Sequence, residues 1–138
     1  PGMALAELDG VHAMTDVTGF GLLGHMLEMA RGAGLTAKIE MSKIPLLAEA
    51  HQLASRGFVT GASERNWAGY GHDVVLGASI SLVDKALLTD PQTSGGLLVS
   101  CDPSSVEEIL ALFAREGFAH AAVIGKMTRG QAKVEVAN

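Results

Sequence analysis

Residues 12–25 read HAMTDVTGFGLLGH and place an acidic side chain next to a glycine pattern. The segment Gly19–Gly24 matches G-x-G-x-x-G, the pattern of a turn that binds the pyrophosphate of a dinucleotide. A helical pattern follows these glycines, and Glu40 lies about twenty residues beyond Gly19, where that pattern has its ribose-binding acid. The spacing alone therefore allows a dinucleotide-binding turn.

The residues around the glycines argue against a bound dinucleotide. The first strand of such a domain is normally a near-continuous apolar run, whereas AMTDVT contains two threonines and an aspartate. A chain of 138 residues is also too short for two mononucleotide-binding halves. Asp16 would face the pyrophosphate, and two anions about 4 Å apart repel by roughly 1 kcal/mol in water.

A bridging divalent cation reverses the sign of that interaction. Mg²⁺ binds one or two carboxylates together with phosphate oxygens, so Asp16 favours a metal–phosphate site over a bare dinucleotide cradle. The alternative is that Asp16 only caps the turn before the following helix. Both interpretations fit the spacing.

The segment Thr93-Ser94-Gly95-Gly96 is a second candidate site. Two hydroxyls and two glycines allow several backbone N–H groups to point into one concavity, which is how proteins bind anions without basic side chains. The alternative is a tight loop whose glycines only provide positive φ angles.

The remaining reactive residues give weaker signals. His12 and His25 bracket the glycine turn, but neither has an adjacent acceptor pattern, and we expect structural roles for both, with His25 on the polar face of its helix. The pair His72-Asp73 is expected to stabilise a loop by a hydrogen bond. Cys101 ends an apolar strand and is expected to be a small buried residue.

Hydrophobic periodicity predicts helices that alternate with strands, and hence an α/β layered domain with a mixed sheet packed against helices. The predicted strands are residues 11–17, 36–41, 97–100, 121–126 and 132–136. The predicted helices are residues 3–8, a segment capped by Thr18 and ended by Gly32 and Gly34, a segment from Pro45 to Gly57, residues 81–88, and a segment capped by Asp102 and ended by Gly117. The glycine-rich residues 57–78 are predicted to be mostly loop, and residues 90–96 a turn.

Composition excludes several classes of protein. A hydrophobic fraction of 48% and a charged fraction of 18% indicate one packed globular domain over residues 1–138. The net charge is −5 and the basic residues are scattered, which excludes a sequence-independent nucleic-acid interface. A single cysteine allows no internal disulfide and fits a cytoplasmic location. Because the sequence has no positively charged leader and no apolar run approaches about 18 residues, we expect no signal peptide and no membrane span.

Together, HAMTDVTGFGLLGH and DPQTSGGLL resemble the two signature stretches of the carboxy-terminal domain of the selenophosphate synthetase (selenide, water dikinase) family. That family belongs to a superfamily that includes aminoimidazole ribonucleotide synthetase. The resemblance extends through almost the whole chain, with the same order of elements and a similar separation of the two stretches. It implies an enzyme that converts selenide, ATP and water into selenophosphate, AMP and phosphate, with Mg²⁺ required.

The resemblance also assigns roles to residues. Asp16, as the aspartate of TDVTGFG, would bind Mg²⁺ that carries the ATP phosphates. The other candidate ATP or phosphate contacts are Thr15, Thr18, Gly19, Gly21, Thr93, Ser94, Gly95 and Gly96. The catalytic Cys or Sec, an essential lysine and a glycine-rich mobile segment belong to an amino-terminal domain, and nothing in this chain matches them. We therefore expect the carboxy-terminal half of a two-domain enzyme, inactive alone, whose full-length form is a cytoplasmic homodimer.

Two other hypotheses fit the same residues. One is a non-catalytic module that senses a nucleotide or an anion, or that only dimerises. The other is a sister ATP-dependent enzyme of the superfamily that acts on another substrate, since a shared fold does not fix the substrate.

Overall fold

The computed structural model describes all residues, Pro1–Asn138, and its strands form two separate sheets. The strands are β1 Val11–Asp16, β2 Leu35–Glu40, β3 Val74–Leu76, β4 Leu97–Cys101, β5 Gly125–Arg129 and β6 Lys133–Ala137. The larger sheet has the order β3-β6-β2-β5, in which β6 pairs parallel with both β3 and β2, and β5 pairs antiparallel with β2. The smaller sheet is the antiparallel pair β1 and β4.

Six α-helices connect and cover these strands: α1 Gly2–Ala6, α2 Gly21–Ala33, α3 Ala50–Ser55, α4 Gly61–Tyr70, α5 Leu82–Thr89 and α6 Val106–Arg115. The predicted mixed α/β class is confirmed. None of these helices has both the length and the apolar character needed to cross a membrane.

The main core lies between α2 and the larger sheet. Strand β2 alternates as its sequence predicts, with Ala37 and Ile39 buried and Lys38 exposed. Helix α2 contributes Leu23 and Leu27, both almost completely buried. Burying one such leucine stabilises the fold by about 1.5–3 kcal/mol, so this contact fixes the position of α2 and of the turn that precedes it.

A second, smaller core supports β1 and β4. Its buried residues are Leu5 of α1, which is fully enclosed, and Ile109, Leu112 and Phe113 of α6. Met14 of β1 packs against them, so one face of the small sheet is covered by two helices. Helix α6 thus presents one apolar face, with Ile109 and Phe113, to this core.

The predicted loop over residues 57–78 is wrong, because this segment contains α4 and β3. The Thr60 side chain accepts a hydrogen bond from the Ser63 backbone at 3.3 Å and begins α4. The inward face of α4 carries Ser63, Asn66 and Tyr70 rather than aliphatic residues. A search for apolar periodicity therefore misses this helix.

The predicted helix from Pro45 to Gly57 is also too long, because α3 spans only Ala50–Ser55. Residue Ile44 is extended, as a residue before proline prefers, and Leu47 is 86% exposed. The apolar side chains of residues 46–47 have no core to pack against within this chain. Their apolar character therefore does not support a helix here.

Both predicted side-chain caps are wrong. Helix α2 begins at Gly21 with Phe20 as the preceding residue, and the Thr18 hydroxyl contacts His25 instead of a backbone amide. The Asp102 carboxylate pairs with the His12 ring at 3.1 Å, and a 3₁₀ turn separates it from α6. In each case a histidine side chain, His25 for Thr18 and His12 for Asp102, binds the side-chain oxygen that would otherwise cap the helix.

The other boundaries move less. The predicted helix at 81–88 is confirmed as α5, which begins with a capping box between Ser81 and Asp84. Strand β5 lies four residues later than predicted at its first residue, because Gly125 is where the chain can pack directly against the Lys38 carbonyl of β2.

Candidate functional site

The candidate site begins where β1 ends. Asp16 is the last residue of β1, opposite Leu97 of β4, and its side chain is exposed. Its carboxylate forms no hydrogen bond and no ion pair within the chain. The Thr15 hydroxyl donates to the backbone carbonyl of Asp16, at 3.2 Å, and not to the carboxylate. Asp16 thus has a free carboxylate, whereas the Thr15 hydroxyl is used locally.

The turn Thr18–Gly21, which we call the TGFG turn, leads from β1 into α2 and is held by side chains of α4. The Asn66 amide donates to the carbonyls of Gly19 at 2.9 Å and of Thr89 at 3.0 Å. The Tyr70 hydroxyl donates to the Phe20 carbonyl at 2.6 Å. These contacts fix the backbone of the turn, and neither Asn66 nor Tyr70 was among the predicted site residues.

The loop Thr93–Gly96, which we call the TSGG loop, lies directly beside the TGFG turn. The Val17 amide donates to the Gly96 carbonyl, and the Gln92 amide donates to the Thr18 carbonyl, both at 2.9 Å. The two stretches that the sequence singles out, more than seventy residues apart, are therefore joined by main-chain hydrogen bonds.

The glycines of the two stretches divide into two kinds. Gly21 has φ of +68°, and an added Cβ would lie 2.7 Å from the Thr89 carbonyl carbon. A Cβ on Gly95 would overlap the Val17 carbonyl oxygen. By contrast, a Cβ on Gly19 or Gly96 would meet nothing within 4 Å. Gly21 and Gly95 therefore serve the packing of the two segments, and Gly19 and Gly96 leave open space beside them.

Ser94 is the one residue other than glycine with a positive φ, at 56°. Such a conformation costs about 1–3 kcal/mol outside glycine and is frequent at binding sites. The side chains of Thr93 and Ser94 are exposed and form no hydrogen bond within the chain. The TSGG loop thus presents free hydroxyls on a constrained backbone.

The prediction that His25 lies on an exposed face is wrong, because this residue is only 7% exposed. Its Nε2 atom lies 3.1 Å from Thr18 Oγ1, and its Nδ1 atom lies 2.8 Å from a Glu28 carboxylate oxygen. The Phe20 ring is tilted against the imidazole at a centroid distance of 5.7 Å. These neighbours satisfy both ring nitrogens, which allows a polar ring in the interior.

The electrostatics of the site favour a cation. Asp16 precedes the TGFG turn and Asp90 precedes the TSGG loop, and no lysine or arginine occurs in residues 15–21 or 89–96. The chain contains no group of three or more histidine, cysteine or acidic side chains that could hold a metal ion by itself. A lone free carboxylate does fit Mg²⁺ that takes its remaining ligands from phosphate oxygens, water or another domain.

The other reactive residues differ from the predictions, because His72 and Asp73 form no hydrogen bond with each other and Cys101 is only partly buried. Asp73 pairs with Arg31 at 2.6 Å and lies 3.6 Å from His72. The hydrogen bond from Arg31 lowers the pKa of Asp73, with a smaller contribution from His72. Burial, together with the neighbouring Asp102, raises the pKa of the Cys101 thiol, which makes this thiol a poor nucleophile.

Tyr70 provides a prediction about pH. Burial raises the pKa of Tyr70 to about 12, partly offset by a backbone hydrogen bond from Gly24. Because the pKa is higher in the folded state, the stabilisation is complete below the unfolded value near 10 and is lost as the pH rises towards 12. Tyr70 is the only tyrosine, so phenolate absorbance reports it alone. We expect little phenolate in the native protein at pH 11 and ordinary titration in denaturant; coincident curves would contradict the burial of the Tyr70 side chain.

The sequence matches a known protein family over almost its whole length. The family described as AIR synthase related protein, C-terminal domain, matches residues 2–137, and the chain belongs to this family. The predicted resemblance is therefore confirmed at the level of the superfamily.

Three similar curated proteins share the name selenide, water dikinase. The "Selenide, water dikinase" of Burkholderia pseudomallei (strain K96243) is 61% identical over 136 residues, which are 99% of this chain and 38% of that protein. The protein of the same name from Pseudomonas straminea has the same identity and coverage. That from Rhizobium meliloti (strain 1021) is 48% identical over 135 residues, 98% of this chain and 39% of the relative. The chain thus spans less than half the length of the curated relatives it matches.

A solved structure shares the fold. The crystal structure of E. coli HypE, a hydrogenase maturation protein, superposes with a TM-score of 0.62 at 20% identity and covers 99% of this chain and 34% of HypE. At that identity the likeness concerns the fold alone, and it agrees with the mixed α/β architecture described above.

Proposed function

We propose that this chain is the carboxy-terminal domain of a selenide, water dikinase and forms one wall of the Mg-ATP phosphate site. The observation that carries the proposal is the contact between the TGFG turn and the TSGG loop, with the free carboxylate of Asp16 at its edge. The identity of 61% to proteins of that name supports the reaction class. The reaction converts selenide, ATP and water into selenophosphate, AMP and phosphate.

Each candidate residue has a defined part in this proposal. Asp16 supplies one carboxylate ligand to Mg²⁺, which when bound neutralises phosphate charge. The open backbone at Gly19 and Gly96 allows phosphate oxygens to approach closely, and Thr18, Thr93 and Ser94 supply hydroxyl contacts. Gly21 and Gly95 hold the two segments together, and Thr15 stabilises the end of β1 through its bond to the Asp16 carbonyl.

The remaining parts of the reaction lie outside this chain. The resemblance to the selenide, water dikinase family implies that the catalytic Cys or Sec and the essential lysine lie in an amino-terminal domain, and this chain itself has no basic residue in residues 15–21 or 89–96. The proposal places the full-length protein in the cytoplasm as a homodimer that uses ATP and selenide. The chain by itself is then inactive.

A ³¹P NMR assay of the full-length protein tests the proposal. With ATP, Mg²⁺ and selenide we expect resonances of selenophosphate, AMP and phosphate, and no selenophosphate when selenide is omitted. The isolated chain serves as the control and should give no turnover. ATP consumption that does not depend on selenide would indicate a sister enzyme, and the absence of any consumption would indicate a non-catalytic module.

A further inference from the structure

Two side chains of helix α2 and one of the TGFG turn are linked by hydrogen bonds, in the series Glu28–His25–Thr18. Glu28 contacts His25 Nδ1 at 2.8 Å, and His25 Nε2 contacts Thr18 Oγ1 at 3.1 Å. His25 is buried, whereas the Glu28 side chain is 54% exposed. The Glu28–His25–Thr18 series therefore leads from the surface, through the interior, to a residue of the candidate site.

The chemistry of the three groups determines which atom donates and which accepts in each hydrogen bond of this series. A carboxylate only accepts hydrogen bonds, so the Nδ1–H group of His25 donates the hydrogen bond to Glu28. That bond also fixes the orientation of the ring and presents Nε2 to Thr18. In many active sites a third group likewise orients a histidine that is hydrogen-bonded to a hydroxyl.

The backbone of Thr18 is fixed independently of its side chain. Its carbonyl accepts from the amides of Gln92 at 2.9 Å and Gly21 at 3.1 Å. The contact with His25 then fixes the position of Oγ1 as well. A neutral imidazole with its hydrogen on Nδ1 has an acceptor at Nε2, so the Thr18 hydroxyl donates its single hydrogen to His25. The two acceptor lone pairs of Thr18 Oγ1 stay free, because this atom forms no other hydrogen bond in the protein.

We propose that His25 and Glu28 are positioning residues that hold Thr18 Oγ1 as the hydrogen-bond acceptor for a water bound to the Mg²⁺ of Mg-ATP, since Mg²⁺ usually keeps several of its waters. This inference rests on the proposed function, because it assigns Thr18 to the phosphate site. A constrained hydroxyl loses little conformational entropy on binding, so it contributes more affinity than a freely rotating one. The position of Glu28, mostly in solvent, allows its role to be tested without disturbing the core.

A purely structural role makes a different prediction. If Glu28 and Thr18 only provide hydrogen-bond partners for the buried His25 ring, then removing Glu28 or the Thr18 hydroxyl changes stability and leaves nucleotide affinity unchanged. If the series positions Thr18 for a ligand, affinity falls more than stability does. Nucleotide affinity and thermal stability, measured on the same variants, therefore separate the two roles.

The experiment uses the full-length protein and Mg-ATP as the probe. Calorimetric titration gives the Kd, and thermal unfolding with and without Mg-ATP gives the stabilisation by the ligand. We expect Thr18→Val to raise the Kd about tenfold and Glu28→Ala about threefold, the sizes expected for losing or loosening one hydrogen bond. Thr18→Ser, which keeps the hydroxyl, should restore a Kd within about twofold of the wild type.

A matched control removes the same charge elsewhere. Glu108→Ala deletes an exposed glutamate from α6, which packs on the second core, and should leave the Kd unchanged. The KM for Mg-ATP should rise with the Kd in Thr18→Val and Glu28→Ala, while kcat changes less.

The possible results separate this inference from the proposed function. If the wild-type protein binds no Mg-ATP, the proposed function and this inference both fail. If the wild type binds and Asp16→Asn weakens binding, while Thr18→Val and Glu28→Ala bind as the wild type does, the proposed function stands and this inference is overturned. A drop in melting temperature of the unliganded variants with an unchanged Kd also overturns it.

Discussion

Replacing Asp16 with asparagine in the full-length protein is expected to lower Mg²⁺-dependent ATP consumption about a hundredfold, the usual cost of removing one preorganised electrostatic group from an active site. Asparagine keeps the shape of the side chain and removes the charge that would attract a metal–phosphate complex. Because Asp16 is exposed and has no partner within the chain, the free energy of unfolding should change by less than about 0.5 kcal/mol.

The rate of AMP formation at increasing Mg²⁺ concentrations measures this effect, and circular dichroism melting checks the fold. Asp9→Asn is the matched control, since Asp9 is also exposed, precedes β1 and forms no ion pair. Part of the lost activity should return at high Mg²⁺, because the substitution weakens the binding of the metal. Near-normal turnover of Asp16→Asn at low Mg²⁺ would remove the proposed metal role.

Replacing Gly95 with alanine is expected to destabilise the protein by about 3 kcal/mol, at the upper end of the usual cost of forcing an extra methyl group into a filled space. The new Cβ would overlap the Val17 carbonyl oxygen and lie 2.8 Å from Gln92 Oε1, so the backbone of the TSGG loop must move. The contact with the TGFG turn would then be lost together with the stability.

The neighbouring glycine is the natural control. Gly96→Ala meets nothing within 4 Å and does not require a positive φ, so its effect on unfolding by urea should stay within about 0.5 kcal/mol. If phosphate approaches the backbone there, Gly96→Ala should nevertheless weaken Mg-ATP binding. Equal unfolding midpoints for the two variants would show that the loop does not pack on Val17 as described.

The parts of the fold that could be predicted from sequence are those with local signals. Strand β2 alternates between apolar and polar residues, α2 has an apolar stripe ended by Gly34 in the left-handed conformation, and α5 begins with a capping box. These features depend on residues a few positions apart. Composition and periodicity were therefore sufficient for the α/β class.

What could not be predicted depends on contacts between distant segments. Helix α4 was missed because Asn66 and Tyr70, which face inward, bond to carbonyls of the TGFG turn rather than fill an aliphatic core. The burial of His25 likewise depends on partners at both ring nitrogens, one of them outside its helix. The sequence identified both halves of the candidate site, but only the structure shows them in contact.

The placement of the aromatic residues on α4 has a practical consequence. Trp67, the only tryptophan, lies one turn from Tyr70 on the helix that holds the TGFG turn, with the Lys85 ammonium 5.1 Å from the centre of its ring. Tryptophan emission from this chain therefore arises from a single position on the helix whose Asn66 and Tyr70 hold the TGFG turn. A nucleotide that moves the turn and this helix together would change that emission, so the chain contains its own optical probe for ligand binding.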